Sequence, residues 1–275
     1  MDVSRLIAED IGFLDITTFG LGISTYKGVM EFSSKEECVV CGIKYVKEIL
    51  TNLELEYSCF VEDGELVQEN HLLITCFGDA GKLHKAWKVA QNILEFLCGI
   101  ATYTYKISQK AKKINPNIEI ATTRKTFPNT KEMMIDAVLC GGGIIHRMGL
   151  YDSILIFENH LEFLKDPNDL EKSFQTLKNK FSEKKIVVEI DNLFKANYFT
   201  SLGADILQCE KMNFQELEQC VFLKNKYPHL IISATGGINL ENIEEYVKTG
   251  VDLIVTSSPY HAKPSDIKVK IKAMR

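Results

Sequence analysis

The segment Ile118–Leu150, IEIATTRKTFPNTKEMMIDAVLCGGGIIHRMGL, sets how the rest of the chain is read. A short apolar run ends in a basic pair, Arg124-Lys125. A helix-like segment follows, then three glycines (Gly141, Gly142, Gly143) and a second basic pair, His146-Arg147. Glycine loses more backbone entropy on folding than any other residue, so three together predict a turn that passes close to something. Arginine offers a planar fork for carboxylate or phosphate, and lysine a point charge. A basic pair at the end of a strand therefore predicts a site for a polyanionic small molecule.

Working outward, the same strand–loop–helix pattern repeats. Candidate strands are Ile118–Thr122, Ile154–Phe157, Ile186–Ile190, Ile206–Cys209, Leu230–Ala234 and Leu253–Thr256. Each is short, apolar and rich in β-branched residues, as strands buried on both faces should be. Repeated β–α units give an open doubly wound sheet or a barrel. Polar residues favour the barrel. Arg124, Lys125, Glu158, Glu189, Asp191, Glu210, Thr235 and Ser257 fall at or just after the C-terminal ends of six strands, which in a barrel converge on one mouth. Six units fall short of eight, so the expected fold is α/β with an incomplete, six-stranded α/β barrel. No GxGxxG follows the first strand, which argues against a dinucleotide site.

Before this pattern, GVMEFSSKEECVVCG reads as extended structure leading into a helix, KYVKEILTNL, and strand-like runs flank the turn dipeptide Asp63-Gly64. The stretch from His84 to Ile114 has helical spacing, with Trp87, Ile93, Leu94, Leu97 and Ile100 on one face and Gly99 as a point of interruption. Asn115-Pro116-Asn117 closes it. The expected domains are residues 1–115 and 116–275.

The 275 residues suffice for one large domain or two modest ones. A net charge of −5 argues against a nucleic-acid partner. No run of about 18 apolar residues is present to span a bilayer, and the charged N-terminus does not read as a signal peptide. Eight cysteines without scaffold spacing predict a reduced, cytoplasmic protein. Cys38-Val-Val-Cys41 is formally CxxC, but it has no second pair and reads as buried thiols.

Glu189 and Glu210 follow consecutive strands in a mouth rich in cations. There they can bond ribose hydroxyls or help position Mg²⁺, which takes one or two carboxylates plus phosphate oxygens; the plainer reading is ion pairing with Arg124, Lys125 or Arg147. Ser-Ala-Thr235-Gly236-Gly237-Ile precedes a clear helix, and free N–H groups at such a turn cradle phosphate. Thr256, Ser257 and Ser258 after the next strand add hydroxyls for the same anion. His146, paired with Arg147, is the histidine most suited to a ligand; His160 and His261 are second choices.

These residues resemble a known family. TRKTFPNTKEMMIDAVLCGGGIIHRMGL followed by ILIFENH is similar to quinolinate phosphoribosyltransferase (nicotinate-nucleotide pyrophosphorylase, carboxylating). AEDIGFLDITT, NILEFLCGIAT, VVEID, GADILQCE, ATGGI and GVDLIV follow in the family's order, so the likeness spans nearly the whole chain. It implies an N-terminal α/β sandwich domain, an incomplete barrel whose last helix packs back on the first domain, and a homodimer in which one subunit's sandwich closes the other's barrel mouth. It also implies transfer of phosphoribose from phosphoribosyl pyrophosphate (PRPP), with Mg²⁺, to a nitrogen heterocycle.

The departures are informative. The family's arginine ahead of the SGIAT motif is Lys88 here, and its lysine before NH is Phe157, offering an aromatic face where a cation stood. The aspartate ahead of TRKT is Thr123, the strand-end aspartate is Glu210, and a helix lysine is Ile135. Quinolinate is a dicarboxylate, and a hydrogen bond to a charged group contributes about 1.5–3 kcal/mol. An acceptor less anionic than quinolinate is expected. The tail TSSPYHAKPSDIKV, with the lost lysine, resembles the ModD branch, pyrophosphorylases associated with molybdenum transport genes.

The resemblance then implies roles. Lys125, Glu189 and Glu210 would hold ribose and Mg²⁺–pyrophosphate. Thr235, Gly236, Gly237, Ser257 and Ser258 would hold the 5′-phosphate. Arg124, His146, Arg147 and the partner subunit's Lys88 would face the acceptor, with Thr123, Phe157 and His261 completing the binding set. Two alternatives stay open: a genuine quinolinate enzyme of NAD synthesis, and a non-catalytic phosphoribosyl- or anion-binding protein.

Overall fold

The computed structural model describes residues 3–164 and 166–274. These divide into two compact units. The first holds residues up to Tyr105, Thr126–Gly142 and the chain from Pro259; the second holds Lys106–Lys125 and Gly143–Ser258.

The first unit opens with helices α1 (Val3–Ile11) and α2 (Ile16–Gly20) and strands β1 (Lys27–Ser34) and β2 (Cys38–Val39). Helix α3 (Ile43–Asn52), strands β3 (Glu56–Cys59), β4 (Leu66–Val67) and β5 (Leu72–Asp79), and helix α4 (Ala80–Lys112) follow. Helix α5 (Lys131–Cys140) and the late strand β13 (Ile267–Ala273) belong to the same unit. One antiparallel sheet has the order β13-β1-β5-β3. Burial alternates along β1, with Met30 and Phe32 fully inside, as a strand with one covered face requires. The end of the chain corrects an expectation: it is not a helix but a strand, pairing antiparallel with β1 over Gly28–Ser34. Its alternating IKVKIKA has period two rather than 3.6, and that pattern was available in the sequence.

Helix α4 runs 33 residues and passes through Gly99 without interruption. Glycine is needed there for space: a Cβ would lie 2.4 Å from the Lys263 carbonyl oxygen. Leu94, Leu97 and Ile100 are buried as the spacing predicts, whereas Trp87 is half-buried and donates to Gln91 Oε1 at 3.0 Å. Asp63 does more than turn the chain. Gly42 heads α3 without a side chain, and Asp63 caps that helix by accepting from the Ile43 N–H at 2.8 Å. Cys38 and Cys41 are buried, the Cys41 N–H donating to Cys98 Sγ at 3.3 Å.

The second unit is a seven-stranded parallel sheet. Its strands are β6 (Glu119–Thr122), β7 (Ile144–Ile145), β8 (Ile154–Ile156), β9 (Ile186–Ile190), β10 (Ile206–Glu210), β11 (Ile231–Thr235) and β12 (Leu253–Thr256). Their order is β7-β6-β12-β11-β10-β9-β8, and each neighbouring pair is parallel. Helices α6 (Glu158–Leu161), α7 (Pro167–Lys180), α8 (Leu193–Leu202), α9 (Phe214–Phe222) and α10 (Ile243–Lys248) occur between them. β7 and β8 each have one partner, so the sheet is open at both edges. The count corrects the expectation of six. The seventh strand, β7, is two residues long and pairs only with Ala121–Thr122; directly after three glycines, Ile144-Ile145 has too little length to show a period.

Candidate active site

Every strand of the parallel sheet contributes to one cavity of about 270 Å³. Thr123, Arg124 and Lys125 follow β6, His146 and Arg147 follow β7, and Phe157 follows β8. Glu189 comes from β9, Gln208 and Glu210 from β10, Thr235 and Gly236 from the end of β11, and Thr256 and Ser257 from the end of β12. Residues from a flat sheet of seven strands could not line one such cavity, so the sheet curls into a half-barrel with its C-terminal ends inward.

Three cations line the cavity, Arg124, Lys125 and Arg147. Arg147 is 6 % exposed, and its guanidinium carbon lies 5.5 Å from the centroid of the Phe157 ring, a cation–π contact. Phe157 is held in place by His160, whose Nδ1 accepts the Phe157 N–H at 3.0 Å and whose ring stacks on it at 5.9 Å. The aromatic side chain therefore carries the buried arginine instead of presenting a further charge. Burial, then the positive field of Arg124, lowers the Arg147 pKa; Glu189 opposes both. The guanidinium stays charged even so. Burial, with Arg147 beside it, also holds the His146 imidazole below its ordinary range. His146 is thus neutral near pH 7 and can donate or accept a hydrogen bond.

Two carboxylates, Glu189 and Glu210, line the same cavity. Glu189 is half-buried, and its Oε2 accepts from Gln208 Nε2 at 2.7 Å. Burial raises the Glu189 pKa and Glu210 adds to the rise, while Gln208, Lys125 and Arg147 oppose it. Glu210 lies 3.7 Å from Lys211 Nζ. Glu158 and Asp191, also predicted at strand ends, do not line the cavity; both pair with Lys195, at 2.6 and 3.1 Å.

The turn after β11 requires glycine. Gly236 has φ +95°, and a Cβ there would meet Lys211 Cγ at 2.6 Å and Lys211 N at 3.0 Å. Thr235 spends its hydroxyl proton on the Val255 carbonyl at 2.8 Å, which leaves backbone N–H groups as the anion donors at this turn. Thr123 and Ser257 join hydroxyls at 2.6 Å, tying the loop after β6 to the loop after β12, and Thr123 Oγ1 also accepts the Lys125 N–H at 3.2 Å.

Four further predicted residues do not line the cavity. Gly237 and Ser258 adjoin it in sequence, the Ser258 N–H being taken by Thr256 Oγ1 at 3.0 Å. Lys88, exposed on α4, lies 3.1 Å from Gln91 Oε1, and it and His261 belong to the first unit. Leu155, Gln208 and Val255 line it without having been predicted, and Thr256 lines it as expected. Gln208 was detectable: a polar residue inside the apolar run ILQCE, two before Glu210, faces the same side of the strand.

Comparison with known proteins agrees with this geometry. The family model described as quinolinate phosphoribosyl transferase, C-terminal domain, matches residues 100–270, and its N-terminal domain model matches residues 15–98. The chain belongs to the quinolinate phosphoribosyl transferase family. Among its relatives, a Pasteurella multocida protein named "Putative pyrophosphorylase ModD" is 39% identical over 274 residues, covering 98% of this chain and 96% of that one. A Methanocaldococcus jannaschii protein named "Probable nicotinate-nucleotide pyrophosphorylase [carboxylating]" is 32% identical over 269 residues, covering 96% and 93%. The solved nicotinate-nucleotide pyrophosphorylase of Francisella tularensis superposes with a TM-score of 0.89 at 26% identity, covering 98% of this chain and 94% of that chain. Among the described residues no helix is long and apolar enough to cross a membrane.

Proposed function

We propose that this family member is a PRPP-dependent phosphoribosyltransferase of ModD type, moving phosphoribose to a nitrogen heterocycle and releasing pyrophosphate. The observation that carries the reading is that one cavity brings together cations (Arg124, Lys125, Arg147), carboxylates (Glu189, Glu210) and a glycine turn at Gly236. PRPP needs all three: donors for a terminal phosphate, acceptors for ribose hydroxyls, and positive charge for a departing pyrophosphate. As the bond from ribose C1 to the pyrophosphate oxygen breaks, its electron pair leaves with pyrophosphate. The heterocycle's ring nitrogen supplies the pair for the new C1–N bond. Positive charge develops on the ribose between these events, beside Glu189 and Glu210, so the site works by placement and charge stabilisation.

Mg²⁺ fits the residues present. Two acids in one cavity, with Glu210 adding to the rise that burial causes in the Glu189 pKa, suit a divalent cation that takes one or two carboxylates with phosphate oxygens. Glu189 and Glu210 would hold it, and it would neutralise the leaving pyrophosphate. The acceptor is expected to be neutral or monoanionic, because Phe157 supplies a ring to Arg147 where a second cation would suit a dicarboxylate. A homodimer, with Lys88 of one subunit serving the other's cavity, completes the proposal.

The test is pyrophosphate release from PRPP and Mg²⁺ with quinolinate, nicotinate and neutral heterocycles in parallel. Release with a neutral or monoanionic heterocycle and not with quinolinate is the expected result. Efficient release with quinolinate would instead assign the chain to NAD synthesis, as the name of the M. jannaschii relative suggests. Binding of PRPP without release across the panel would favour a non-catalytic role.

A further inference from the structure

Gln208 is 4 % exposed and sits on β10 at the floor of the cavity. Its two ends are in different situations. Nε2 donates to Glu189 Oε2 at 2.7 Å, and because a carboxylate only accepts, this bond fixes which end of the amide faces Glu189. The other end, Oε1, is buried without a hydrogen-bond partner among the described residues. A buried acceptor left unpaired is costly, and a side chain pinned at its amide nitrogen cannot flip to relieve it. Gln208 lines a polar cavity whose wall closes over Oε1, so a ligand group that draws the amide a little toward the opening can supply what the protein does not.

The neighbours narrow that group. Gln208 is in register with Glu189 on β9, and Glu210 lies two residues on, on the same face of β10. Oε1 thus belongs to a cluster of three side chains that present acceptors only. A carboxylate or phosphate oxygen would be repelled there. A ligand with several O–H donors on adjacent atoms would satisfy the cluster, and the hydroxyls of a ribose ring have that arrangement.

We propose that Gln208 is a substrate-contacting, specificity-determining residue whose Oε1 accepts a hydrogen bond from a ribose hydroxyl while its amide nitrogen holds Glu189 in place. The inference rests on the phosphoribosyltransferase reading and assigns a sugar contact to a residue outside the predicted set. It makes the site selective for a hydroxylated pentose over a bare phosphate.

Calorimetric titration of the full chain with ribose 5-phosphate, inorganic phosphate and Mg²⁺–PRPP tests it, using wild type, Gln208→Met and Gln208→Asn. Methionine keeps the chain length and removes both polar ends; asparagine keeps the amide and shortens the reach, so one folded variant suffices. The expected result for Gln208→Met is ribose 5-phosphate binding weakened about three- to tenfold, with inorganic phosphate affinity unchanged. A purely structural role would weaken both ligands together, and that outcome overturns the proposal. An unchanged ribose 5-phosphate affinity also overturns it and would move the donor to the heterocycle. If wild type binds neither ribose 5-phosphate nor PRPP, the transferase reading falls and this inference with it; if wild type binds both and the variants match it, only the role of Gln208 falls.

Discussion

Replacing Phe157 by lysine tests how the site handles charge. The Phe157 ring centroid is 5.5 Å from the Arg147 guanidinium carbon, and Arg147 is 6 % exposed. An ammonium placed there would repel the guanidinium by about 3 kcal/mol at an effective dielectric of about 20. Residue 157 is half-buried, so screening reduces this to about 1–2 kcal/mol. The lost cation–π contact adds about 1 kcal/mol. Phe157→Lys should therefore destabilise by about 2–3 kcal/mol, a fall in Tm of about 3–5 °C at this chain size. Molar salt, where the Debye length is about 3 Å, should return part of the loss. A dicarboxylate seated between the two cations should return more, so quinolinate should raise the Tm of the variant and leave wild type unmoved. Pyrophosphate release with quinolinate should rise about ten- to a hundredfold in kcat/KM, the value of one charge-assisted hydrogen bond. Scanning fluorimetry at two salt concentrations, with and without quinolinate, reads the first set, and the release assay reads the second. A Tm unchanged and insensitive to salt would refute the Arg147–Phe157 contact. Wild type using quinolinate as well as the variant would refute the argument that the ring sets acceptor charge.

The Glu189→Gln variant should lose most turnover while its Tm does not fall: burial, then Glu210, raises the Glu189 pKa, so the ionised carboxylate opposes folding above the unfolded-state pKa and a neutral isostere removes that penalty. By the same sign, wild-type activity should fall as pH drops through a value above the ordinary glutamate range, and Lys125→Met, which removes an opposing cation, should move that limb of the pH–rate profile higher. Gly236→Ala forces a Cβ to 2.6 Å from Lys211 Cγ at φ +95°, and should cost at least about 1–3 kcal/mol in denaturant melts while weakening inorganic phosphate binding by calorimetry. If Lys88 serves the partner's cavity, mixing Lys88→Ala with Glu189→Gln subunits should restore about a quarter of wild-type turnover, since half of randomly paired twofold dimers hold one intact site; no recovery after subunit exchange would place Lys88 outside it.

What the sequence revealed followed the length and period of each signal. Ile186–Ile190 and Leu253–Thr256 match their expected bounds because short runs of four and three apolar residues between polar flanks leave little choice of register. Arg124, Arg147, Glu189 and Glu210 were found because charge at the end of a buried strand has few structural explanations, and the curled sheet does bring them together. Ile144-Ile145 was missed because a two-residue strand has no period, and the terminal helix was expected from family likeness although IKVKIKA alternates. Thr123 could be located but not interpreted: its link to Ser257 joins positions 134 apart in sequence, and no local pattern encodes such a pair.

Gln208 belongs to a different class, because its chemistry depends on direction rather than on composition. A glutamine in an apolar strand reads as one more polar residue until the amide is seen with its nitrogen on Glu189 and its oxygen unpaired. That orientation makes the cluster of Gln208, Glu189 and Glu210 uniformly accepting, while Arg124, Lys125 and Arg147 only donate. A ligand that fills such a cavity must present anionic oxygens to the cations and hydroxyl protons to the acceptors. PRPP has that polarity, and a free pyridine dicarboxylate has only half of it, so the sugar phosphate rather than the heterocycle should determine how substrate is oriented in this site.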